Sequence, residues 1–221
     1  MLAIIPTINR SKLLEPLLRV LKGDGVKVIV VDGTDKRHVS DDRVEWINRE
    51  WNIYKTWNHG IDLAKEQGHS TVFVLNDDIV LKPGACVGMD RVVKECGLAI
   101  VSFFDRARRD HLRLLSRFGD KTVVRRETPA TSNRDHSICG YAFAANPTKC
   151  PRADEEFLWW CGDDELFYRA QHHGAGVGVA CCIHVEHPSE GTSSSDIDTK
   201  LPYGWKARDF EMLDKKTIGI T

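Results

Sequence analysis

Residues 71–79 read TVFVLNDDI and combine an apolar run with a group of polar residues. Its first five residues are apolar or β-branched and predict a short buried strand. Asn76, Asp77 and Asp78 follow directly at its carboxyl end. Adjacent carboxylates repel each other unless a cation or hydrogen bonds compensate, and Mg²⁺ and Mn²⁺ prefer one or two carboxylates together with phosphate oxygens. The stretch fits a divalent ion bridged to a diphosphate; the alternative is an Asx-rich turn that caps a helix.

Apolar runs alternate with amphipathic stretches on both sides of this segment. Further strands are predicted at residues 2–5, 26–31 and 98–103. Leucines at helical spacing over residues 13–21 predict a helix that stops at Gly23, and apolar residues over 53–64 predict a second that stops at Gly68. Strands and helices alternating at this spacing indicate βαβ units and a parallel sheet, which binds ligands at the carboxyl ends of its strands.

Other polar residues follow the predicted strands at the same edge. Asp32 comes after the second strand, where a carboxylate accepts hydrogen bonds from a nucleotide base or ribose; the alternative is an ordinary Asp-Gly turn. The first strand is followed by Pro6, Thr7, Asn9 and Arg10, and the polar groups of this segment would line the same crevice.

The second half of the chain holds a segment of mixed acids and aromatics. Residues 153–169 read ADEEFLWWCGDDELFYR. Carboxylates beside aromatic rings suit a sugar-binding wall that contains a general base. The alternative is a helix start in which Asp163 and Asp164 face the helix dipole while the aromatics lie in the core.

A cysteine and histidine cluster, CCIHVEH, occupies residues 181–187. A structural zinc site would need a second ligand pair at suitable spacing, which the sequence lacks. A single histidine, His184 or His187, that completes the coordination of an Asp-bound ion is more economical. Seven cysteines without a CxxC pair indicate free thiols in a reducing compartment.

The composition is that of an ordinary globular domain. The chain has 221 residues, 42% of them hydrophobic and 29% charged, with a net charge of −1. This balance predicts no polyanionic partner for the chain as a whole. No apolar run reaches the roughly 18–20 residues of a membrane span, and the N-terminus does not resemble a signal peptide, so we expect a cytoplasmic protein.

In this order, the motifs resemble glycosyltransferase family 2, whose members have the GT-A fold. The resemblance runs from about Ile4 to His187. It implies an α/β fold with a Rossmann-like, mostly parallel central sheet flanked by helices in a single domain. Residues 1–104 would bind a nucleotide-sugar, residues 105–188 would form the acceptor-binding and catalytic half, and residues 189–221 would be a polar tail.

The resemblance also assigns site residues. Pro6, Thr7, Asn9, Arg10 and Asp32 match nucleotide-sugar-binding positions, as does Asn58 in an Asn-x-Gly helix start. The DxD-type motif falls on Asn76, Asp77 and Asp78, with Asn76 in place of the first acid. Asp78 would then ligate Mn²⁺ or Mg²⁺ together with His187 or His184.

The general base of the family falls on Asp163 when the chain is aligned on Leu166 and Arg169, although Gly162 replaces the usual Glu and leaves Asp164 as an alternative. The implied mechanism is a single inverting displacement, with a UDP-sugar as the commonest donor. Trp159, Trp160 and Tyr141 would shape the sugar pocket.

The acceptor is suggested by charge rather than by the family. Residues 106–126 contain eight basic residues and two acids. Clustered arginines, among them Arg108, Arg109 and Arg113, together with His111, would suit a phosphate backbone. The stretch fits a hydroxylated base in DNA as acceptor, as in some phage enzymes that act in the host cytoplasm; the alternative is a solvated helix.

Two other classes of protein share this layout. A nucleotidyltransferase also uses an Asp-bound metal, but it carries an early Gly-rich loop, and the loop after Ile5 has no glycine. A non-catalytic sugar- or nucleotide-binding module would have no need of Asp78 and Asp163 together.

Overall fold

The computed structural model describes residues 1–7, 11–33, 42–49, 51–119, 124–125, 138–158, 161–172, 175–188 and 205–218. Its strands are β1 (Leu2–Thr7), β2 (Lys27–Asp32), β3 (Val44–Asn48), β4 (Val72–Leu75), β5 (Val80–Leu81), β6 (Ile100–Asp105), β7 (Val124–Arg125), β8 (Ala142–Ala145) and β9 (Val177–Glu186). Its helices are α1 (Leu14–Gly23), α2 (Ile53–Glu66), α3 (Ala85–Cys96), α4 (Arg109–Phe118), α5 (Gly162–His172) and α6 (Trp205–Ile218).

Within the described residues, nine strands form one sheet in the order β3-β2-β1-β4-β8-β6-β9-β5, with β7 paired to β9. Strands β1 to β4 are parallel, as the alternation of strands and helices predicts. Strand β8 lies antiparallel between β4 and β6, and β6 pairs parallel with β9. Because β8 pairs with β4, the strands of the second half of the chain extend the sheet of the first half, and polar residues from both halves belong to one sheet.

The sheet is covered on both faces. Alternate residues of β1 point to opposite sides, so that Leu2 and Ile4 join one apolar cluster and Ala3 and Ile5 the other. The first cluster includes buried residues of α2, α5 and α6, and the second includes those of α1 and α3. Burial on both faces explains why these strands read as continuous apolar runs.

Helix α6 lies in the segment for which the sequence predicts a polar tail. Its Leu213 is buried in the same apolar cluster as α2 and α5, and Asp209 is fully buried. Seven of the 14 residues of α6 are charged, which is why its composition resembles that of a tail.

All seven cysteines fall in the described residues, and all are free thiols, as expected. Cys86, Cys139, Cys161 and Cys181 are buried. In the described part of the chain, no helix combines the length and the apolar character needed to cross a membrane.

Gly60 sets how closely α2 approaches β1. A Cβ atom at this position would lie 2.6 Å from two side-chain carbons of Ile4. Alanine favours helices over glycine, but this contact outweighs the preference. We expect Gly60→Ala to lower the free energy of unfolding by about 1–3 kcal/mol in urea denaturation.

Gly23→Ala is the matched control, since a Cβ atom there meets nothing within 4 Å. We expect this variant to be as stable as the wild type or more stable by up to about 1 kcal/mol. Equal stability of both variants would contradict the close packing of α2 on β1.

Candidate functional site

Polar residues from neighbouring strands meet at one edge of the sheet. Thr7 at the end of β1 pairs in register with Asp32 at the end of β2. Strand β4, on the other side of β1, ends one residue before Asn76. The structure therefore brings Pro6, Thr7, Asp32 and residues 76–78 to a common edge, whereas Asn9 and Arg10 lie outside the described residues.

Asp77 fixes the chain that follows β1. Its carboxylate accepts hydrogen bonds from the Thr7 hydroxyl and from the backbone N–H of Ser11, the latter at 3.0 Å. Burial raises the pKa of Asp77, although both hydrogen bonds act in the opposite direction. Asp77 thus connects the DxD-like motif to the loop before α1.

Asp78 meets His187 because two distant segments pair. The short strand β5 runs antiparallel to the end of β9, with Val80 opposite Glu186. This register places the residues that precede Val80 beside those that follow Glu186. His187 Nε2 consequently lies 3.2 Å from Asp78 Oδ2.

The two side chains leave polar atoms unused. Asp78 is 3% exposed, and among the described residues neither its Oδ1 atom nor His187 Nε2 has a hydrogen-bond partner. The 3.2 Å approach of Nε2 to Oδ2 is an ion-pair distance without hydrogen-bond geometry. Buried polar atoms without partners are costly, so this arrangement calls for a further group.

A divalent ion fits that position. Carboxylate oxygen and imidazole nitrogen are both ligands of Mn²⁺, and carboxylate oxygen also suits Mg²⁺. No group of three or more His, Cys, Asp or Glu side chains with metal-binding geometry occurs in the described residues. Asp78 and His187 therefore suit an ion that takes its remaining ligands from water or from a phosphate-bearing substrate.

His184, the alternative ligand, lies further back along β9. It pairs in register with Phe104 of β6, and its ring lies edge-on to that of Phe104 at 5.3 Å. The register between β6 and β9 shifts just before this pair, between Phe103 and Phe104. The irregularity re-aims the end of β9 toward Asp78.

Asp163 lies in the first turn of α5, against the backbone of Gly140. A Cβ atom at residue 140 would lie 2.0 Å from Asp163 Oδ2, so only glycine admits this carboxylate. Cys161, which directly precedes α5, has φ of +64°, a left-handed conformation that costs about 1 kcal/mol or more outside glycine. Strain of this kind is concentrated at functional sites, where surrounding structure enforces it.

Gly162 stands where the resemblance implies a Glu, and the structure gives a steric reason for glycine there. A Cβ atom at this residue would lie 2.4 Å from the Tyr54 ring, which leaves no room for a larger side chain. The backbone N–H of Gly162 donates to the Tyr54 hydroxyl at 3.0 Å. Burial, followed by the charge of Asp163, raises the pKa of Tyr54, so the phenol keeps its proton.

The other acids of α5 differ in their surroundings. Asp164 is half-buried in the first turn. Glu165 accepts two hydrogen bonds from Arg169, one of them at 2.9 Å, and Arg169 also donates to the carbonyl of Arg152. This contact ties α5 to the segment before it, which gives the Glu-x-x-x-Arg spacing a structural role.

Asn58 has its amide fully engaged. Its Nδ2 donates to the Ala153 carbonyl at 2.9 Å and to Glu155 at 2.8 Å, while its Oδ1 accepts from the Ala153 N–H at 2.7 Å. The side chain fastens α2 to the segment that leads into α5.

Segment 139–141 belongs to the site, although only its Tyr141 was expected there from the sequence. The Tyr141 carbonyl accepts a hydrogen bond from the Asn76 N–H at 2.8 Å, and the Tyr141 ring stacks on His187. The segment thus contacts Asn76, Asp163 and His187. Its residues carry no charge, and a glycine in an apolar stretch gives no chemical signal from sequence.

The arginines in and just before α4 differ in their surroundings. Arg109 and Arg113 are exposed, whereas Arg108 donates to Cys139 Sγ at 3.7 Å. His111 is fully buried and cannot contact a phosphate backbone, contrary to the expectation from sequence. Trp159 and Trp160 lie outside the described residues.

Helix α6 holds the segment that precedes α5. Both carboxylate oxygens of Asp209 accept from the Leu158 N–H, at 3.2 and 3.1 Å. Lys216 pairs with Asp154 and, at 2.7 Å, with Glu156. The C-terminal helix therefore supports the backbone that leads to Asp163.

The sheet order and flanking helices define a GT-A fold, as predicted, and solved structures agree. GalNAc-T7, crystallised with UDP, GalNAc and Mn²⁺, has a TM-score of 0.61 at 12% identity over 84% of this chain and 43% of its own. TarS of S. aureus, residues 1–349, has a TM-score of 0.59 at 14% identity over 85% and 60%. The chain spans about half the length of these neighbours. No family model matches the sequence, and no curated protein matches it significantly.

The Lys216 contacts predict how stability depends on pH. Burial raises the pKa of Asp154, but the hydrogen bonds from Lys216 and from the Glu156 N–H lower it more, so its pKa lies below the ordinary value. Burial lowers the pKa of Lys216, but its two acidic partners raise it more. The stabilisation is present above the unfolded Asp pKa of about 3.9 and below the unfolded Lys pKa of about 10.4. It is lost as pH falls through the folded pKa of Asp154 or rises through that of Lys216.

We expect Lys216→Met to lower the free energy of unfolding by about 1 kcal/mol at neutral pH, with the difference from wild type vanishing in acid. Urea denaturation across a pH series measures this. Lys215→Met is the control, since Lys215 pairs with the exposed Glu211, and it should change stability by less than about 0.5 kcal/mol. Equal effects of both variants would contradict the supporting role of Lys216.

Proposed function

We propose that this protein is a metal-dependent glycosyltransferase that moves a sugar from a nucleotide-sugar, a UDP-sugar in the first instance, to an acceptor hydroxyl. One observation carries the proposal. The Oδ1 atom of buried Asp78 and the Nε2 atom of His187 lack hydrogen-bond partners in the described residues, and this Nε2 lies 3.2 Å from Asp78 Oδ2 at the ligand-binding edge of a GT-A sheet. GalNAc-T7, which shares the fold, was crystallised with UDP, GalNAc and Mn²⁺.

Residues 1–104 would bind the nucleotide-sugar. Asp32 is buried at the end of β2, where its carboxylate can accept hydrogen bonds from a base or ribose. Thr7 lies beside it in register and is oriented by Asp77. Asn76, which directly precedes Asp77 and Asp78, would contact the diphosphate.

Asp78 and His187 would hold the Mn²⁺ or Mg²⁺ ion. When bound, the ion supplies positive charge that neutralises the leaving diphosphate. Asp78 contributes a fixed negative charge that is nearly excluded from water, which strengthens its interaction with any cation placed there.

Asp163 would act as the general base, and residues 105–188 would bind the acceptor. The acceptor oxygen forms a bond to the anomeric carbon while the bond from that carbon to the diphosphate oxygen breaks. The hydroxyl proton passes to the Asp163 carboxylate, and the electron pair leaves with the diphosphate. Attack from the face opposite the leaving group inverts the configuration. The position of Asp163 against Gly140, the residue before Tyr141, supports it over Asp164.

For the acceptor we propose a hydroxylated base in DNA. The observation that supports this is the pair of exposed arginines on α4, Arg109 and Arg113, one helical turn apart. Helix α4 begins four residues after Asp105, whose side chain accepts a hydrogen bond from Tyr141. A phosphate backbone bound along α4 would therefore pass beside the site.

The activity test measures nucleotide release from UDP-, dTDP- and GDP-sugars with Mn²⁺ or with EDTA. We expect one donor to be hydrolysed only with metal, and Asp78→Asn to reduce the rate at least about 10-fold. Asp163→Asn should bind that donor normally but lower sugar transfer by about 10²–10⁴-fold once an acceptor is found. Glu66→Gln, an exposed acid on α2, is the control and should match wild type.

Metal-independent hydrolysis, or full activity of Asp78→Asn, would contradict the metal role. Release of pyrophosphate from a sugar phosphate and UTP would instead identify a nucleotidyltransferase. Binding of a nucleotide-sugar without turnover would identify a non-catalytic binding module.

The acceptor is tested by binding to duplex DNA over a range of salt concentrations. We expect Arg109→Ala/Arg113→Ala to weaken binding and to reduce the slope of log affinity against log salt by about 2, because each lost phosphate contact releases about one fewer counterion. Arg108 is kept, since it contacts Cys139.

The matched control is Arg19→Ala/Arg91→Ala, which removes the same charge from exposed positions on α1 and α3. Its salt slope should stay at the wild-type value. Equal slopes for both double variants would exclude α4 as the DNA-binding surface without affecting the proposed sugar transfer.

A further inference from the structure

Tyr141 and His187 form a stacked pair beside Asp78. Their ring centroids are 4.3 Å apart and the ring planes differ by 16°. His187 follows the last residue of β9, where the ladder ends, so backbone pairing alone does not fix its ring. The broad face of Tyr141 restricts the imidazole to a plane from which Nε2 reaches within 3.2 Å of Asp78 Oδ2.

The Tyr141 ring is held at its far end by a buried carboxylate. Its hydroxyl donates to Asp105 Oδ2 at 2.5 Å and accepts from Cys139 Sγ at 3.2 Å. Asp105 is itself buried, and its Oδ1 accepts from the Ala107 N–H at 2.8 Å. Burial, followed by the neighbouring Cys139 and Asp105, raises the pKa of Tyr141, so the hydroxyl keeps the proton that it donates.

These bonds extend into a larger buried network. Cys139 Sγ lies 3.8 Å from His111 Nε2, and His111 Nδ1 accepts from the Asp105 N–H at 2.7 Å. Because Nδ1 is an acceptor, the neutral ring carries its proton on Nε2, toward the sulfur. Connected hydrogen bonds of this kind rigidify their members.

The other end of Tyr141 is fixed to the acidic motif, since its carbonyl accepts from the Asn76 N–H at 2.8 Å. Tyr141 is thus anchored both to residues 76–78 and to Asp105. With its hydroxyl hydrogen-bonded to Asp105 and Cys139, the residue has little left to offer a sugar, which departs from the pocket-wall role expected from sequence.

We propose that Tyr141, anchored by Asp105, is a positioning residue that orients His187 toward Asp78 and so sets the affinity of the site for a divalent ion. This rests on the proposed function, because it takes Asp78 and His187 as the metal ligands. Residues that orient metal ligands typically contribute 10–100-fold in affinity.

The first experiment measures Mn²⁺ binding in the presence of UDP. Electron paramagnetic resonance monitors the signal of the free ion. We expect Tyr141→Leu to weaken binding about 10-fold or more, and Tyr141→Phe, which keeps the stacking face, to lose clearly less. Phe143→Leu removes an aromatic ring from the core of β8 and should lower stability without changing Mn²⁺ affinity.

The second measurement needs no metal. In NMR spectra of metal-free protein with labelled histidine, the His187 signals are assigned from their loss in His187→Gln. Stacking on Tyr141 should shift these ring protons upfield in wild type and Tyr141→Phe, and the shift should be absent in Tyr141→Leu.

The outcomes separate two failures. If wild type and Asp78→Asn both fail to bind Mn²⁺ with UDP, the proposed metal site is wrong, and this inference with it. If wild type binds Mn²⁺ and Tyr141→Leu binds as tightly, the inference alone is wrong, even where the NMR shift confirms the stacking. Equal losses in Tyr141→Leu and Phe143→Leu would likewise reduce Tyr141 to a packing residue.

Discussion

Two adjacent buried carboxylates, Asp77 and Asp78, are the constraint on which the site depends. Removing a charge from water costs several kcal/mol unless partners compensate. Asp77 meets this cost with the Thr7 hydroxyl and the Ser11 N–H. Asp78 has His187 beside it and one oxygen without a partner in the described residues. Asp77 therefore holds Thr7 and Ser11 in place, whereas Asp78 is left available to a cation.

The first half of the sheet could be predicted from sequence because its signals are local. Apolar runs and helical spacing within about 20 residues define β1, α1, β2, α2 and β4, and a polar residue after a buried strand lies at the ligand-binding edge wherever the strand sits. The insertion of β8 between β4 and β6 and the pairing of β5 with β9 join segments far apart in sequence. A two-residue strand such as Val80–Leu81 has no periodicity to detect.

The site residues also differ in whether the sequence alone could identify them. Asp32, Asp78 and Asp163 could be proposed from sequence because acids carry a chemical signal. Gly140 and Gly162 could not, because a glycine is required only by what lies against it, here the Asp163 carboxylate and the Tyr54 ring. Gly162 stands where the resemblance implies a Glu, and its contact with the Tyr54 ring gives a steric reason for this difference.

The three residues of segment 139–141 connect the proposed metal site to the proposed base. Gly140 admits the Asp163 carboxylate on one side, and Tyr141 stacks on His187 and binds the Asn76 N–H on the other. A displacement reaction needs its leaving group and its base aligned to within roughly 0.5 Å. Asp163 lies against Gly140 and His187 lies against Tyr141, and these consecutive residues continue into the central strand β8. The distance between the proposed base and the proposed metal ligand therefore depends on covalent geometry rather than on the conformations of several loops. Segment 139–141 is uncharged, and its importance follows from what it holds in place.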